Sequence, residues 1–352
     1  CLKAHELGIR VSVLSSHSED PAAQVCRHWI QGSPDNEKDL NHFFSLNQTI
    51  TFESEFIDAR LLKDLQKKQN IKFYPSLENL QELQNRWTQK QALSKWKVPT
   101  APYLKFSEPL TYEDISQELG TSFVIKKSIG GYDGYGTFII HSSKDFETFK
   151  KTNNVKSEYI VESYIPFRRE LAITLVRDLK GNTVSFPLVE TFQESSRCLW
   201  VKGPTLSPQY SKMLKRLKTF IESINYVGVI AFEFFETKNK ELLVNEIAPR
   251  VHNSSHYSLN GFTIDQFSLH MQAVTGLQVT PPSSFTSGFA MYNLIGSGSK
   301  KIDWTLTKNT QLHWYGKLEN RPGRKMGHIN TQGKTANACL KTLIHARKGF
   351  SI

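Results

Sequence analysis

The sequence predicts a mixed α/β protein that opens with a doubly wound parallel-sheet unit. Three observations carry this expectation. Over residues 1–75 short β-like runs alternate with helical ones, the rhythm of parallel strands joined by crossover helices. A glycine-rich loop, IGGYDGYG, lies between two strand-like runs at residues 123–127 and 137–141. The last hundred residues are rich in strands and turns. At 352 residues the chain has room for two or three domains, each with a sizeable core. With 39% hydrophobic and 22% charged residues its composition is globular, which excludes disorder and collagen-like or low-complexity architectures.

The elements follow in order. CLKAHELGIRVSVL reads as the second half of a helix and then a strand at residues 10–14, an opening that suggests a strand and loop lost ahead of Cys1. A proline-containing loop leads into a helical AQVCRHWI, then a β-like QTITFESEF, then the Leu- and Lys-rich helix DARLLKDLQKKQ. From Ser76 the spacing of Leu77, Leu80, Leu83, Trp87 and Leu93 predicts one long helix to about Lys97, ended by Val98-Pro99. Strands are expected at residues 159–164 and 171–177 and a helix at 212–224. VGVIAFEFFE and KELLVNEIA should form a β-hairpin. No apolar run approaches the ~20 residues needed to cross a bilayer. The balance of 44 Lys and Arg against 33 Asp and Glu, +11, favours anionic partners, although dispersed charges also suit a merely solvated surface. Four separated cysteines without a C-x-x-C pair suggest neither zinc nor disulfides, and point to a reducing cytoplasm.

Four segments could carry chemistry. The glycines at 130, 131, 134 and 136 allow tight turns and open backbone N–H groups that suit polyphosphate oxygens, with Lys126 nearby; an ordinary glycine hairpin would carry the same residues. The loop is not a Walker A motif, because no Gly-Lys-Ser/Thr follows. In the hairpin, a turn centred between Asn239 and Lys240 places Glu233 opposite Glu246, ~5 Å apart at Cβ, where two carboxylates repel unless a cation such as Mg²⁺ neutralises them. The alternative is that one glutamate faces solvent. Asn245 to His256 is dense in polar groups; His252 and His256 are spaced i,i+4, but the glutamate of H-E-x-x-H is absent, so an anion- or substrate-binding loop fits better than zinc. Finally, Lys317, Arg321, Arg324, Lys325 and His328, interspersed with Pro322, Gly323 and Gly327, make a basic turn that could grip a phosphate or simply be solvated.

In this order the segments resemble the ATP-grasp enzymes, and among them the biotin-independent carboxylases of purine synthesis. The matching patterns are GGYDG, E-x-F at residues 233–235, NEIAPR-x-HNS from Asn245, and RPGRKMGH from Arg321, with Arg86 and Pro99-Thr100-Ala101-Pro102 as further landmarks. The resemblance spans essentially the whole chain. It implies an ATP-grasp fold: a pre-ATP-grasp domain at residues 1–76, an ATP-grasp domain at 77–275 with a mobile glycine-loop lid at about 103–164, and a small β-rich C-terminal domain at 276–352. It further implies a ligase that uses ATP to activate bicarbonate as carboxyphosphate and then carboxylates the amine of 5-aminoimidazole ribonucleotide. The cofactors would be ATP and two Mg²⁺ ions, without biotin; the protein would be a cytoplasmic homodimer with no nucleic-acid or membrane partner.

Residue by residue, the resemblance places Arg86, Lys126, Gly131, Tyr132, Asp133, Gly134, Tyr135, Gly136 and Thr137 around ATP. Glu162, Ser163, Tyr164 and Ile165 fall on the adenine-binding linker and Glu170 on the ribose-binding carboxylate, with Gln193 in the ATP-site loop and Asn245 and Glu246 also at ATP, beside the metal. Glu233 and Glu246 match the Mg²⁺ ligands. Arg250, His252 and Asn253 would line the bicarbonate and acceptor site, and Lys317 and Arg324 would hold the acceptor's phosphate. The chain departs from the pattern at Tyr135 (usually Arg or Lys), Gln193 (usually His) and Ser255 (usually Gly). Two other readings stay open: a formate-dependent ATP-grasp transformylase of glycinamide ribonucleotide, against which Asn253-Ser254 argues, and a nucleotide-binding relative without turnover. A basic RNA-binding protein would instead show steep salt dependence.

Overall fold

A computed structural model describes residues 1–131, 134–154 and 158–352. Near the N-terminus two parallel pairs form, Ser12–Ser15 with His28–Gln31 and Thr49–Thr51 with Lys72–Tyr74. The strands are parallel as expected, but they make two separate ladders rather than one doubly wound sheet. AQVCRHWI is not helical: Ala23–Val25 is a single 3₁₀ turn and His28–Gln31 is a strand, in keeping with the bulky Trp29-Ile30 pair, which suits a pleated surface better than a helix. Helices Glu37–Ser45 and Ala59–Lys68 start at Asn36 and Asp58, whose side chains accept the first free backbone N–H groups. Their apolar stripes meet Ile50, Phe73, Leu77 and Leu80 in one core.

The long helix expected from Ser76 is two. Leu77–Gln84 ends at Asn85, whose side chain accepts the N–H of Trp87 and starts Arg86–Lys95. An asparagine is a better cap than interior residue, so capping overrides the continuous apolar period here. The break puts Arg86 at the first helical position, with its N–H donating to the Ser128 carbonyl at 2.8 Å.

An antiparallel sheet of four strands follows, ordered Tyr103–Lys105, Tyr159–Ser163, Phe123–Lys127, Thr137–Ile140. Helices Tyr112–Leu119 and Ser143–Thr152 cover it around Phe106, Phe123, Phe146, Phe149 and Tyr159. The main body is a nine-stranded sheet in which Leu242–Ala248, Gly228–Thr237, Phe167–Arg177, Val189–Glu194, Arg197–Gly203, Gly288–Ile295, Lys325–Gly333 and Gln311–Trp314 lie side by side, while the ninth strand, Thr183–Ser185, pairs with the end of Phe167–Arg177. Helix Tyr210–Ser223 packs on one face and Gln266–Thr275 on the other. The sheet runs on past residue 276 into the C-terminal strands, which are backed by helix Ala336–Arg347 through Cys339, Leu340 and Leu343.

Candidate active site

The site is built on one face of the large sheet. Glu233 pairs directly with Glu246, as expected, but the turn is centred on Asn239, where Thr237 and Glu241 close the loop. Near the turn Phe234 faces Val244; beyond it Glu233 faces Glu246, so Asn245 is a surplus residue, a β-bulge. The bulge lets neighbouring residues serve different partners. Asn245 accepts a hydrogen bond from Lys126 Nζ at 2.9 Å, and Glu246 meets Arg86 Nη1 at 3.1 Å.

Glu233 pairs on its other side with Ala172, two residues from Glu170, so Glu170, Glu233 and Glu246 share one face across three strands. Burial, then the charges of Glu246 and Glu170, push the Glu233 carboxyl up to about 8. Burial pushes Glu170 up to about 7, opposed by the Gln193 backbone N–H that donates to it. Burial works against the Arg86 charge, but Glu246 and Glu162 outweigh it and hold the guanidinium firmly protonated.

Behind Arg86 lies a buried ion cluster. Glu162 Oε2 sits 3.1 Å from both Lys90 Nζ and Lys126 Nζ. Burial alone would raise Glu162; Lys126, Lys90 and Arg86 bring it down to about 2. Lys90 is lowered by burial to about 8 despite Glu162. Glu162 Oε1 is buried with no hydrogen-bond partner among the described residues. Lys90 and Gln89, both on the Arg86–Lys95 helix, were not foreseen as site residues. The Gln89 amide exchanges hydrogen bonds with the N–H and carbonyl of Ile247 and so locks the helix beside Glu246. Only three-dimensional packing brings these residues to the site.

The glycine loop turns through positive φ at Gly130, Gly134 and Gly136. Gly131 lies against Arg86, and a cleft between them is also lined by Glu55, Ser128 and Glu246. A β-carbon on Gly134 would fall 2.3 Å from Ser196 Cβ, so the loop rests on the hairpin tip at residues 195–196. Tyr135 stacks under Lys127 Nζ, 4.9 Å from the ring centre, and Thr137 starts the strand that leaves the loop. Tyr132 and Asp133 lie outside the described residues. Ser163 ends its strand and Tyr164 and Ile165 follow directly, with the Tyr164 ring against His141.

In the polar loop that follows Glu246 each expected site residue has its own partner. Arg250 is engaged by Glu55, Nη2 to Oε1 at 2.9 Å and Nε to Oε2, which ties residues 250–256 to the N-terminal region. His252 Nε2 is 3.8 Å from Glu233 Oε1. Burial, then Arg250 and Lys325, hold that imidazole neutral, so the contact joins two groups pushed toward neutrality. Asn253 and Asn293 exchange amide hydrogen bonds of 3.0 and 2.7 Å. In the basic turn, Lys317 Nζ donates to the Lys325 carbonyl and Arg324 Nη1 to the Glu319 carbonyl. Of its cations it is Lys325, unassigned from sequence, whose charge is felt at Glu233 and His252.

Known proteins share this architecture. Family models match residues 1–84 (ribonucleotide synthetase preATP-grasp domain), 91–267 (ATP-grasp domain) and 290–342 (phosphoribosylaminoimidazole carboxylase C-terminal domain). The N5-carboxyaminoimidazole ribonucleotide synthase of Staphylococcus aureus strain COL is 32% identical over 337 residues, covering 95% of this chain and 89% of the relative. The chain belongs to the N5-carboxyaminoimidazole ribonucleotide synthase family. A synthase of that family from Synechocystis is 33% identical over 349 residues, covering 93% and 87% of the two chains. The S. aureus synthetase structure complexed with ADP superposes with TM-score 0.90 at 30% identity, over 98% of this chain and 92% of that one. An Aspergillus clavatus synthase in complex with ADP and 5-aminoimidazole ribonucleotide gives 0.86 at 26%, over 99% and 94%. Members of this synthase family are ATP-grasp ligases, and the mixed helix-and-sheet architecture here is theirs.

Proposed function

We propose that this enzyme couples ATP cleavage to carboxylation of the exocyclic amine of 5-aminoimidazole ribonucleotide, through carboxyphosphate formed from bicarbonate, releasing ADP and phosphate. The observation that carries the reading is the face of three carboxylates under a glycine loop, in a chain of this family. ATP would lie between the two sheets. Arg86, Lys126 and the loop residues Gly131, Gly134, Tyr135, Gly136 and Thr137 would surround its phosphates, and residues 162–165 its base. Glu162 Oε2 is committed to two lysines, which leaves the unpartnered Oε1 for an N–H donor on the base. Glu170 and Gln193 would meet the ribose, and Asn245 would steady Lys126.

Glu233 and Glu246 suit Mg²⁺. Two hard oxygen donors with a carboxyl lifted to about 8 form a set that a dication relieves. Among the described residues no group of three or more His, Cys, Asp or Glu is arranged to hold a metal alone, which fits an ion completed by nucleotide phosphates. When bound, Mg²⁺ would neutralise phosphate charge during transfer. Arg86 holds Glu246 in place, and the loop over the cleft would exclude water from the labile carboxyphosphate. Arg250, oriented by Glu55, would face the anionic intermediate with His252 and Asn253, while Lys317 and Arg324 would grip the acceptor's phosphate.

On the same reading residues 103–164 form a lid, the domains meet near 76 and 275, and the protein is a cytoplasmic homodimer without biotin, nucleic-acid or membrane partner. Among the described residues no helix is long and apolar enough to cross a membrane. Incubation with ATP, Mg²⁺, labelled bicarbonate and aminoimidazole ribonucleotide should transfer label to the ribonucleotide in step with ADP release. ADP release that ignores the ribonucleotide would overturn the assignment.

A further inference from the structure

The hairpin tip at residues 194–197 touches two functional segments at once. Ser196 sits where a Gly134 β-carbon would be, in the glycine loop, and its neighbour Arg197 crosses to the basic turn. There the Arg197 guanidinium occupies the place of a Gly323 side chain: a β-carbon on Gly323 would lie 2.8 Å from Cζ and Nη2 and 3.1 Å from Nε. Three atoms of the plane at nearly one distance mean that it lies flat over Gly323, whose φ of +80° also favours glycine.

Glu194 is the register partner of Arg197 on the opposite strand, and the basic turn brings the other charges. Arg321 is paired with Glu319, and Arg324 donates to the Glu319 carbonyl. Among the described residues the half-buried Arg197 side chain has neither an ion-pair nor a hydrogen-bond partner. A guanidinium seated by its flat face, with five donors unused and like charges beside it, is a preformed fork for an anion.

We propose that Arg197 binds the phosphate monoester of the acceptor ribonucleotide together with Lys317 and Arg324. This rests on the reading of those two residues as the phosphate clamp. Because Arg197 shares its turn with the seat of Gly134, an occupied phosphate site also braces the surface on which the glycine loop rests.

Steady-state kinetics of Arg197→Met, Arg197→Lys and Arg324→Ala test this. A lost charge-assisted contact predicts that Arg197→Met raises the acceptor KM about tenfold to a hundredfold, while the KM for ATP stays within about twofold and the thermal midpoint does not move. It should weaken competitive inhibition by inorganic phosphate in parallel. Arg197→Lys, which keeps the charge and loses the fork, should fall between, and decides the matter if Arg197→Met does not fold. An unchanged acceptor KM with a raised one for Arg324→Ala would overturn the role of Arg197 and leave the clamp standing. A raised acceptor KM for Arg197→Met alone would support Arg197 and remove Arg324 from the clamp. A rise in the ATP KM instead would assign the guanidinium to the nucleotide and overturn the proposal.

Discussion

Glu233 allows the metal reading to be measured without turnover. Its carboxyl, buried and set against Glu246 and Glu170, titrates near 8 instead of the ordinary 4.5. That displacement is worth about 5 kcal/mol against the charged form, a strain that a bound dication would relieve. Near pH 7.5 such a group is about three-quarters protonated, and a cation must displace the proton. Loading the protein with Mg²⁺ and ADP should therefore release about 0.8 proton more from the natural enzyme than from Glu233→Gln, read calorimetrically in buffers of different protonation enthalpy. The difference should vanish near pH 9.5, where Glu233 is already ionised. Because the folded carboxyl is raised, its stabilising contribution is full below pH 4.5 and is lost as pH climbs through about 8. Mg²⁺ with nucleotide should thus raise the melting temperature more at high pH than near neutrality. Equal proton release from the two proteins, at every pH, would refute the placement of the cation on Glu233.

Three further outcomes follow from the geometry. His270 accepts the Val229 N–H at 3.1 Å and contacts Thr51 Oγ1 at 2.6 Å, and burial lowers it to about 4. It therefore stabilises the fold above pH 6.5 by about 3 kcal/mol, lost as pH falls through 4; in urea unfolding the gap between the natural protein and His270→Gln should shrink between those limits. Glu162→Gln leaves two buried ammonium groups unpaired and should cost about 3–5 kcal/mol of stability by denaturant titration, and a loss under 1 kcal/mol would contradict that cluster. Gly134→Ala should reduce kcat/KM for ATP, because the methyl meets Ser196 and φ is +81°; Ser196→Gly should restore only part, since it relieves the clash but not the backbone.

Much of the site was legible because its residues are close in sequence or joined by a short hairpin. The pairing of Glu233 with Glu246 was inferred from a turn placed half a residue too far along; the bulge at Asn245 compensates, and neither feature shows in an alternating pattern. The break at Asn85 was hidden because leucines keep one period across it, although an asparagine before Arg-Trp-Thr is a cap signal that a reading of apolar spacing passes over. The basic turn was recognisable by composition, yet which of its cations reaches Glu233 depends on strand register. The Lys90–Glu162–Lys126 cluster, the Glu55 clasp on Arg250 and the seat of Gly134 on Ser196 join residues 36 to 195 positions apart or on different sheets, and no local pattern announces them.

The surplus residue at Asn245 has one more consequence. It separates the hairpin into two independently indexed halves, a tip from Thr237 to Glu241 and a base that carries the carboxylates. A lengthened or shortened tip can then be absorbed where the ladder is already broken, before it reaches the base. An insertion at the exposed end would leave the spacing of the acidic pair unchanged.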